Sequence, residues 1–288
     1  MSNMVVRTNV LALNSHRNLG LVGNQQARAS ARLSSGFRIN SGADDAAGLA
    51  ISESMRAQIR GMNQASRNAQ DGISLIQTAE GYLATIQELM QRARELAVQG
   101  ANDTYSETQR EFIHNEMHQI QLEVVRIWDN ATFNGQEVFN SASGLLAGTF
   151  VLQVGADEGD GFIIDVYEEL GDAVGDAQKA VTDFATAITG GLTDHAEFHA
   201  AIDEINEAME DISRLRGGLG AIENRLEFTI QNLDIAVENL SASESRIRDA
   251  DMAMEMMRLT QANVLQQAAT AMLAQGNQAP QSILQLLG

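Results

Sequence analysis

The 288-residue chain has no Cys, one Pro, 5% aromatic residues, and 38 acidic against 19 basic side chains, for a formal charge of −19. This composition excludes a disulfide frame, a thiolate metal site and a cysteine nucleophile. The longest charge-free stretch, Leu259 to Gly288, is too rich in Gln, Asn, Ala and Thr for a membrane span of about 20 apolar residues, and polar Asn3, Arg7, Thr8 and Asn9 break the apolar run that a cleaved secretory leader needs.

Charge is distributed unevenly. Residues 1 to 70 carry eight Arg and three acids, a net of +5, whereas residues 151 to 211 carry sixteen acids and Lys179, a net of −15. The basic quarter spaces its Arg singly and has only Phe37 as an aromatic, so nucleic-acid binding is not expected. The acidic block reads as a solvated surface. Arg supplies all the basic groups but Lys179 and stays charged at high pH, which suits alkaline or saline surroundings.

In chain order, residues 3 to 33 (Val6, Val10, Leu13, Val22, Leu33) form an amphipathic but thinly apolar helix. It buries too little alone to offset its ordering entropy, so it should order only against copies of itself. From Asp44 to Gln99, apolar residues including Ile59, Ile76 and Leu83 recur every three or four positions, a repeat of coiled-coil type. If continuous, this helix is a rod of about 84 Å at ~1.5 Å per residue. A break at Gly100 to Thr104 precedes a second helix over about 104–129, expected to lie antiparallel to the first. Phe133-Asn-Gly135 is a turn signal, and Thr149 to Val154 and Phe162 to Tyr167 are β-prone, so a small β hairpin is expected within about 131–167. The intervening Asp157, Glu158 and Asp160 do not follow EF-hand ligand spacing and read as a solvated turn. A second long rod covers about 193–240, with Leu226 and Leu233 on its seam. Residues 250 to 287 (Met256, Leu259, Leu265 among them) resemble the N-terminal segment in their thin apolar content. The fold class expected is mainly α: antiparallel helical rods packed as a coiled-coil-like, elongated bundle, with one small β hairpin and the N- and C-terminal helices paired.

Several motifs in order resemble bacterial flagellins. They are Leu33-Ser-Ser-Gly-Phe-Arg-Ile-Asn-Ser-Gly-Ala-Asp-Asp-Ala-Ala-Gly-Leu-Ala-Ile-Ser52, Gln91-Arg-Ala-Arg-Glu-Leu-Ala-Val-Gln99 and Phe133-Asn-Gly135. In the C-terminal half, Leu219-Gly-Ala-Ile-Glu-Asn-Arg-Leu-Glu227, Glu244-Ser-Arg-Ile-Arg-Asp-Ala-Asp251 and Ala271-Met-Leu-Ala-Gln275 add to them. The resemblance implies a structural, non-enzymatic subunit of the extracellular flagellar filament, a homo-oligomer without cofactor or membrane contact. It implies terminal helices 1–43 and 246–288 in an inner core, a rod domain 44–245, and no separate outer domain. It also implies export by the flagellar type III route, cap and junction proteins as partners, and an export chaperone on the C-terminal segment. Assembly is expected to use Val6, Val10, Leu13, Met256, Leu259 and Leu265 at the terminal seams and Ile59, Ile76, Leu83, Leu226 and Leu233 on the rods. The family's surface for an animal innate receptor maps onto Arg92, Leu96 and Glu116, and its plant-recognised segment onto Ala31 to Ser52, where Ala43 replaces a common Lys. A hook-filament junction protein shares the end motifs and is the alternative.

Two patterns of another class stand apart: His114-Asn-Glu-Met-His118 and His195-Ala-Glu-Phe-His199. Histidines at i and i+4 share a helix face and suit a late transition metal, so His114, His118, His195 and His199 are candidate ligands of a shared site. The Glu position does not match the His-Glu-x-x-His arrangement of zinc proteases, and solvated imidazoles on exposed helix faces are the simpler expectation.

Overall fold

A computed structural model describes residues 9–139, 144–146, 151–156, 163–192 and 194–287. Among them are six helices: α1 (Val10–Ser35), α2 (Ala46–Gly100), α3 (Glu107–Asn130), α4 (Val166–Thr189), α5 (His195–Arg248) and α6 (Met252–Leu287). Four short strands accompany them: β1 (Thr132–Phe133), β2 (Gln136–Glu137), β3 (Val151–Gln153) and β4 (Ile163–Asp165). The chain divides into two compact units, one made of Met1–Ala57 with Asn239–Gly288, the other of Gln58–Glu238.

The second unit contains the large apolar core. The α2 repeat buries Ala69, Ile76, Leu83, Ile86, Met90 and Ala97; α5 answers with Ile205, Ile212, Leu215, Leu219 and Leu226, and α3 with Met117 and Val124. Full burial of each large aliphatic side chain contributes about 1.5–3 kcal/mol. Polar groups join the edges of α2 and α5: Gln77 donates to Glu223 at 2.8 Å, and Arg216 donates to Glu80 at 3.2 Å and to Gln87. Two glycines allow close approach. A Cβ at Gly100 would lie 2.4 Å from the Phe198 ring, and one at Gly72 would lie 2.6 Å from Leu152.

The expected β hairpin is β3 with β4, antiparallel, with Leu152 opposite Ile164. Its acidic turn, with Asp157, Glu158 and Asp160, lies outside the described residues. A shorter pair, β1 with β2, closes around Asn134 and Gly135, whose φ of 50° and 78° suit an Asn-Gly turn. Trp128 stacks on Phe139 nearby, with ring centroids 4.7 Å apart.

Two features go beyond the sequence reading. Helix α5 passes through Gly217, Gly218 and Gly220 without a break and continues to Arg248. Helix α4 occupies part of the acidic block that sequence alone presented as surface. It buries Leu170, Val174, Ala177, Val181, Phe184 and Ile188 at helical spacing and leaves Asp172, Asp176 and Asp183 exposed.

Candidate functional site

In the first unit, α1 and α6 lie against each other along a narrow seam. The less exposed positions of α1 include Ala12, Ser15, Leu19, Val22, Gln26, Ala29 and Leu33; those of α6 include Glu255, Leu259, Ala262, Gln266, Ala269, Leu273 and Gly276. Both sets step by three and four, the heptad spacing of a two-helix contact. Small and polar residues predominate, so helix backbones approach closely and hydrogen bonds fix the register. Asn9 accepts from the Ala12 N–H as the α1 cap and donates to the Gly276 carbonyl at 2.7 Å, while Gln26 donates to Asn263 at 2.8 Å.

One charged group is buried in this seam. Glu255, 4% exposed, accepts from Arg32 at 3.3 Å and from Arg258 at 2.6 Å. Paired in this way a buried carboxylate is tolerable; without its partners it is costly.

Beyond Gly36, whose left-handed φ of 78° ends α1, the chain meets the end of α5. The Arg38 N–H donates to the Arg248 carbonyl and the Ala250 N–H to the Gly36 carbonyl. The Arg248 guanidinium sits 4.9 Å from the centre of the Phe37 ring and bonds Glu53 at 2.6 Å. Asp44 accepts from the Asn40 and Ser41 N–H groups, and the bond from Asn40 is the chief reason its carboxyl sits below the usual 3.8. Thus the 33–52 and 244–251 motifs, far apart in sequence, build one elbow.

The seam leaves much apolar surface uncovered. Val10, Leu11, Leu13 and Leu21 of α1 and Met252, Met256, Met257, Val264, Leu265 and Met272 of α6 are all exposed. Soluble chains rarely present contiguous apolar patches of this kind without a partner for them.

The N-terminal helical region model of bacterial flagellin matches residues 6–143, and the C-terminal one matches residues 202–287. A flagellin of Halalkalibacterium halodurans is 50% identical, the alignment covering 99% of this chain and all of the relative. The flagellar filament 31.3 kDa core protein of Treponema maltophilum is 43% identical, and a Bacillus subtilis flagellin 41%, each over 99% of this chain and the full length of the relative. The chain belongs to the bacterial flagellin family. It is a structural subunit of the flagellar filament, and the hook-filament junction alternative is not favoured.

On this flagellin the sequence-derived residues fall into two groups. Val10, Leu13, Met256 and Leu265 are exposed on the terminal helices, and Leu259 is half-buried on the seam; Val6 lies outside the described residues. Ile76, Leu83, Leu226 and Leu233 are buried within the chain itself, and Ile59 is half-buried.

Arg92 and Glu116 come together across α2 and α3 at 2.9 Å, with a further contact from Arg92 to Glu95 at 3.2 Å. Bonding to Glu116 raises the Arg92 pKa further. Leu96, expected beside them on a surface, is 3% exposed and belongs to the core.

The histidine pairs each share a helix face as their spacing requires, with ring centroids 6.2 Å apart for His114 and His118 and 6.3 Å for His195 and His199. They do not combine. Among the described residues no group of three or more His, Asp or Glu is placed to hold a metal ion, so the shared four-histidine site is not formed. His195 instead contacts Asp194 at 2.9 Å, and Asp194 is held below 3.8 chiefly by that bond. His114 has an unpartnered Nδ1, and its pKa is lowered first by burial and second by His118. Among the described residues no helix is long and apolar enough to cross a membrane.

Proposed function

We propose that this flagellin polymerises through the apolar residues that α1 and α6 leave uncovered, and that the second unit provides a rod already folded before assembly. The observation that carries this reading is the exposure of Val10 and Leu13 (62% each), Met256 (53%) and Leu265 (43%) on helices whose mutual seam is mostly small or polar. Burying them against other copies removes apolar area from water at about 25 cal/mol per Å². Residues 1–43 and 246–288 then form the inner core of the filament and 44–245 the surrounding rod. Ile76, Leu83, Leu226 and Leu233 contribute indirectly, by keeping each rod stiff.

The function is mechanical and needs no catalytic group. Register shifts between packed rods give a filament of identical subunits its supercoiled forms. The finished filament is extracellular. The absence of Cys suits threading through an export channel, and the apolar α6 suits capture by an export chaperone beforehand. Cap and junction proteins bind the two ends of the polymer. Arg92 and Glu116 offer an animal innate receptor a charged contact beside the packed Leu96.

Sedimentation and electron microscopy of the purified chain over a salt series test the core of this reading. Long filaments are expected from the full chain, and none from a chain lacking residues 1–40 that still melts cooperatively. A full chain that stays monomeric at every salt concentration overturns it.

A further inference from the structure

Seven of the twelve methionines occupy two contrasting environments. Met90 and Met117 are fully enclosed in the core of the second unit, whereas Met252, Met254, Met256, Met257 and Met272 of α6 are 45–66% exposed. Helix α6 turns Glu255, Leu259 and Ala262 toward the α1 seam; Met254, Met256, Met257 and Met272 lie at other angles around the helix, while Met252, seven residues before Leu259, stands near the seam side at the start of the helix and is still 48% exposed. Met256 and Met257, with Val264 and Leu265, line an open groove of about 540 Å³. The chain has no Cys, so thioethers are its softest nucleophiles, and no thiol competes with them for an oxidant.

We propose that the α6 methionines are a reversible oxidation site acting on the unassembled chain, and that their oxidation by a peroxide blocks polymerisation. The sulfur lone pair attacks a peroxide oxygen, the O–O bond breaks and an S–O bond forms. Sulfur loses two electrons to the peroxide, which leaves as water after taking up the available protons. An apolar, flexible side chain becomes a polar sulfoxide whose oxygen seeks water. A face that must be buried against another copy then carries up to five such groups. Reduction of the sulfoxides by methionine sulfoxide reductases with a dithiol, the oxygen leaving as water and the dithiol closing to a disulfide, restores the thioethers and the face. Filament formation covers the same sulfurs, so the site is open only between synthesis and assembly.

This inference rests on the filament reading, and the experiment separates the two. Purified full-length chain, as monomer and as preformed filament, is treated with dilute hydrogen peroxide, and each methionine is followed by peptide mass spectrometry. Polymer is measured by sedimentation before treatment, after treatment, and after incubation with methionine sulfoxide reductases A and B and dithiothreitol. In the monomer the five α6 methionines should oxidise at least tenfold faster than Met90 and Met117. Pelletable polymer should fall at least fivefold, and reductase treatment should recover most of it. In filaments the α6 rates should drop severalfold. A chain carrying M252L, M254L, M256L, M257L and M272L should polymerise equally well before and after peroxide; if these substitutions themselves prevent polymerisation, the reductase arm on the wild-type chain decides. Undiminished polymer from oxidised chain, equal oxidation rates across all seven methionines, or no recovery on reduction overturns the inference while leaving the filament reading intact. An untreated wild-type chain that never polymerises refutes both.

Discussion

The two units use the same heptad spacing to opposite ends. In Gln58–Glu238 the repeat sets Leu, Ile, Met and Phe among Ala residues at essentially zero exposure. In the terminal unit the α1–α6 repeat mixes Ala, Gln, Ser, Gly and one buried Glu with the half-buried Leu19, Val22, Leu33, Leu259 and Leu273, while Leu13, Leu21 and the five α6 methionines are exposed. Periodicity alone therefore fixes only that helices will pair. The size of the side chains on the seam decides whether the pair is sufficient to itself or needs further copies, because only large buried side chains offset the ordering of the backbone.

Substitutions can break this contrast. Leu83→Ala empties a fully buried position and should lower the stability of the second unit by about 2–5 kcal/mol, read by denaturant unfolding followed by circular dichroism. Glu255→Gln removes the charge that Arg32 and Arg258 share in the terminal seam. Hydrogen exchange should show α1 and α6 opening more readily by about 1–3 kcal/mol, with the second unit unchanged. Leu13→Ser, on the exposed face, should leave monomer unfolding within about 0.5 kcal/mol of wild type yet raise the critical concentration for polymerisation at least tenfold in sedimentation assays. Were it instead to destabilise the monomer, the division between seam and outer face would be wrong.

The smallest effect concerns pH. The folded pKa of His114 is depressed below 6.5 by burial, so the neutral imidazole is the favoured form. Its contribution is complete above pH 6.5 and is lost as pH falls through the folded value. The melting temperature of the second unit should decline between pH 7 and pH 5, and H114L should flatten that slope.

Much of the fold was legible because α2 and α5 write their cores as uninterrupted apolar repeats. Helix α4 was not, although Leu170, Val174, Ala177, Val181, Phe184 and Ile188 keep helical spacing. Its acids mark only the exposed half of an amphipathic element. Of the three glycines that α5 passes through, one is where Leu170 packs: a Cβ on Gly218 would lie 2.4 Å from that side chain. At the candidate site, Val10, Leu13, Met256 and Leu265, expected from the sequence at the terminal seams, are exposed. It was silent on the Glu255 pair with Arg32, because contacts across more than two hundred residues leave no local pattern. The i, i+4 histidines show the converse limit, since spacing on one helix says nothing about a second helix supplying the remaining ligands.

The elbow joining Arg38 to the Ile247 carbonyl closes a loop of 209 residues. Closing so long a flexible loop costs about 5 kcal/mol by the (3/2)RT ln n rule, and every residue of the second unit lies within it. The first fifty-seven residues emerge from the ribosome with no counterpart until the last fifty have followed. A chain truncated near its end retains the whole second unit but leaves α1 without α6. Pairing of the two terminal helices therefore waits until both have been synthesised, and on the reading proposed above it precedes any contact with other copies.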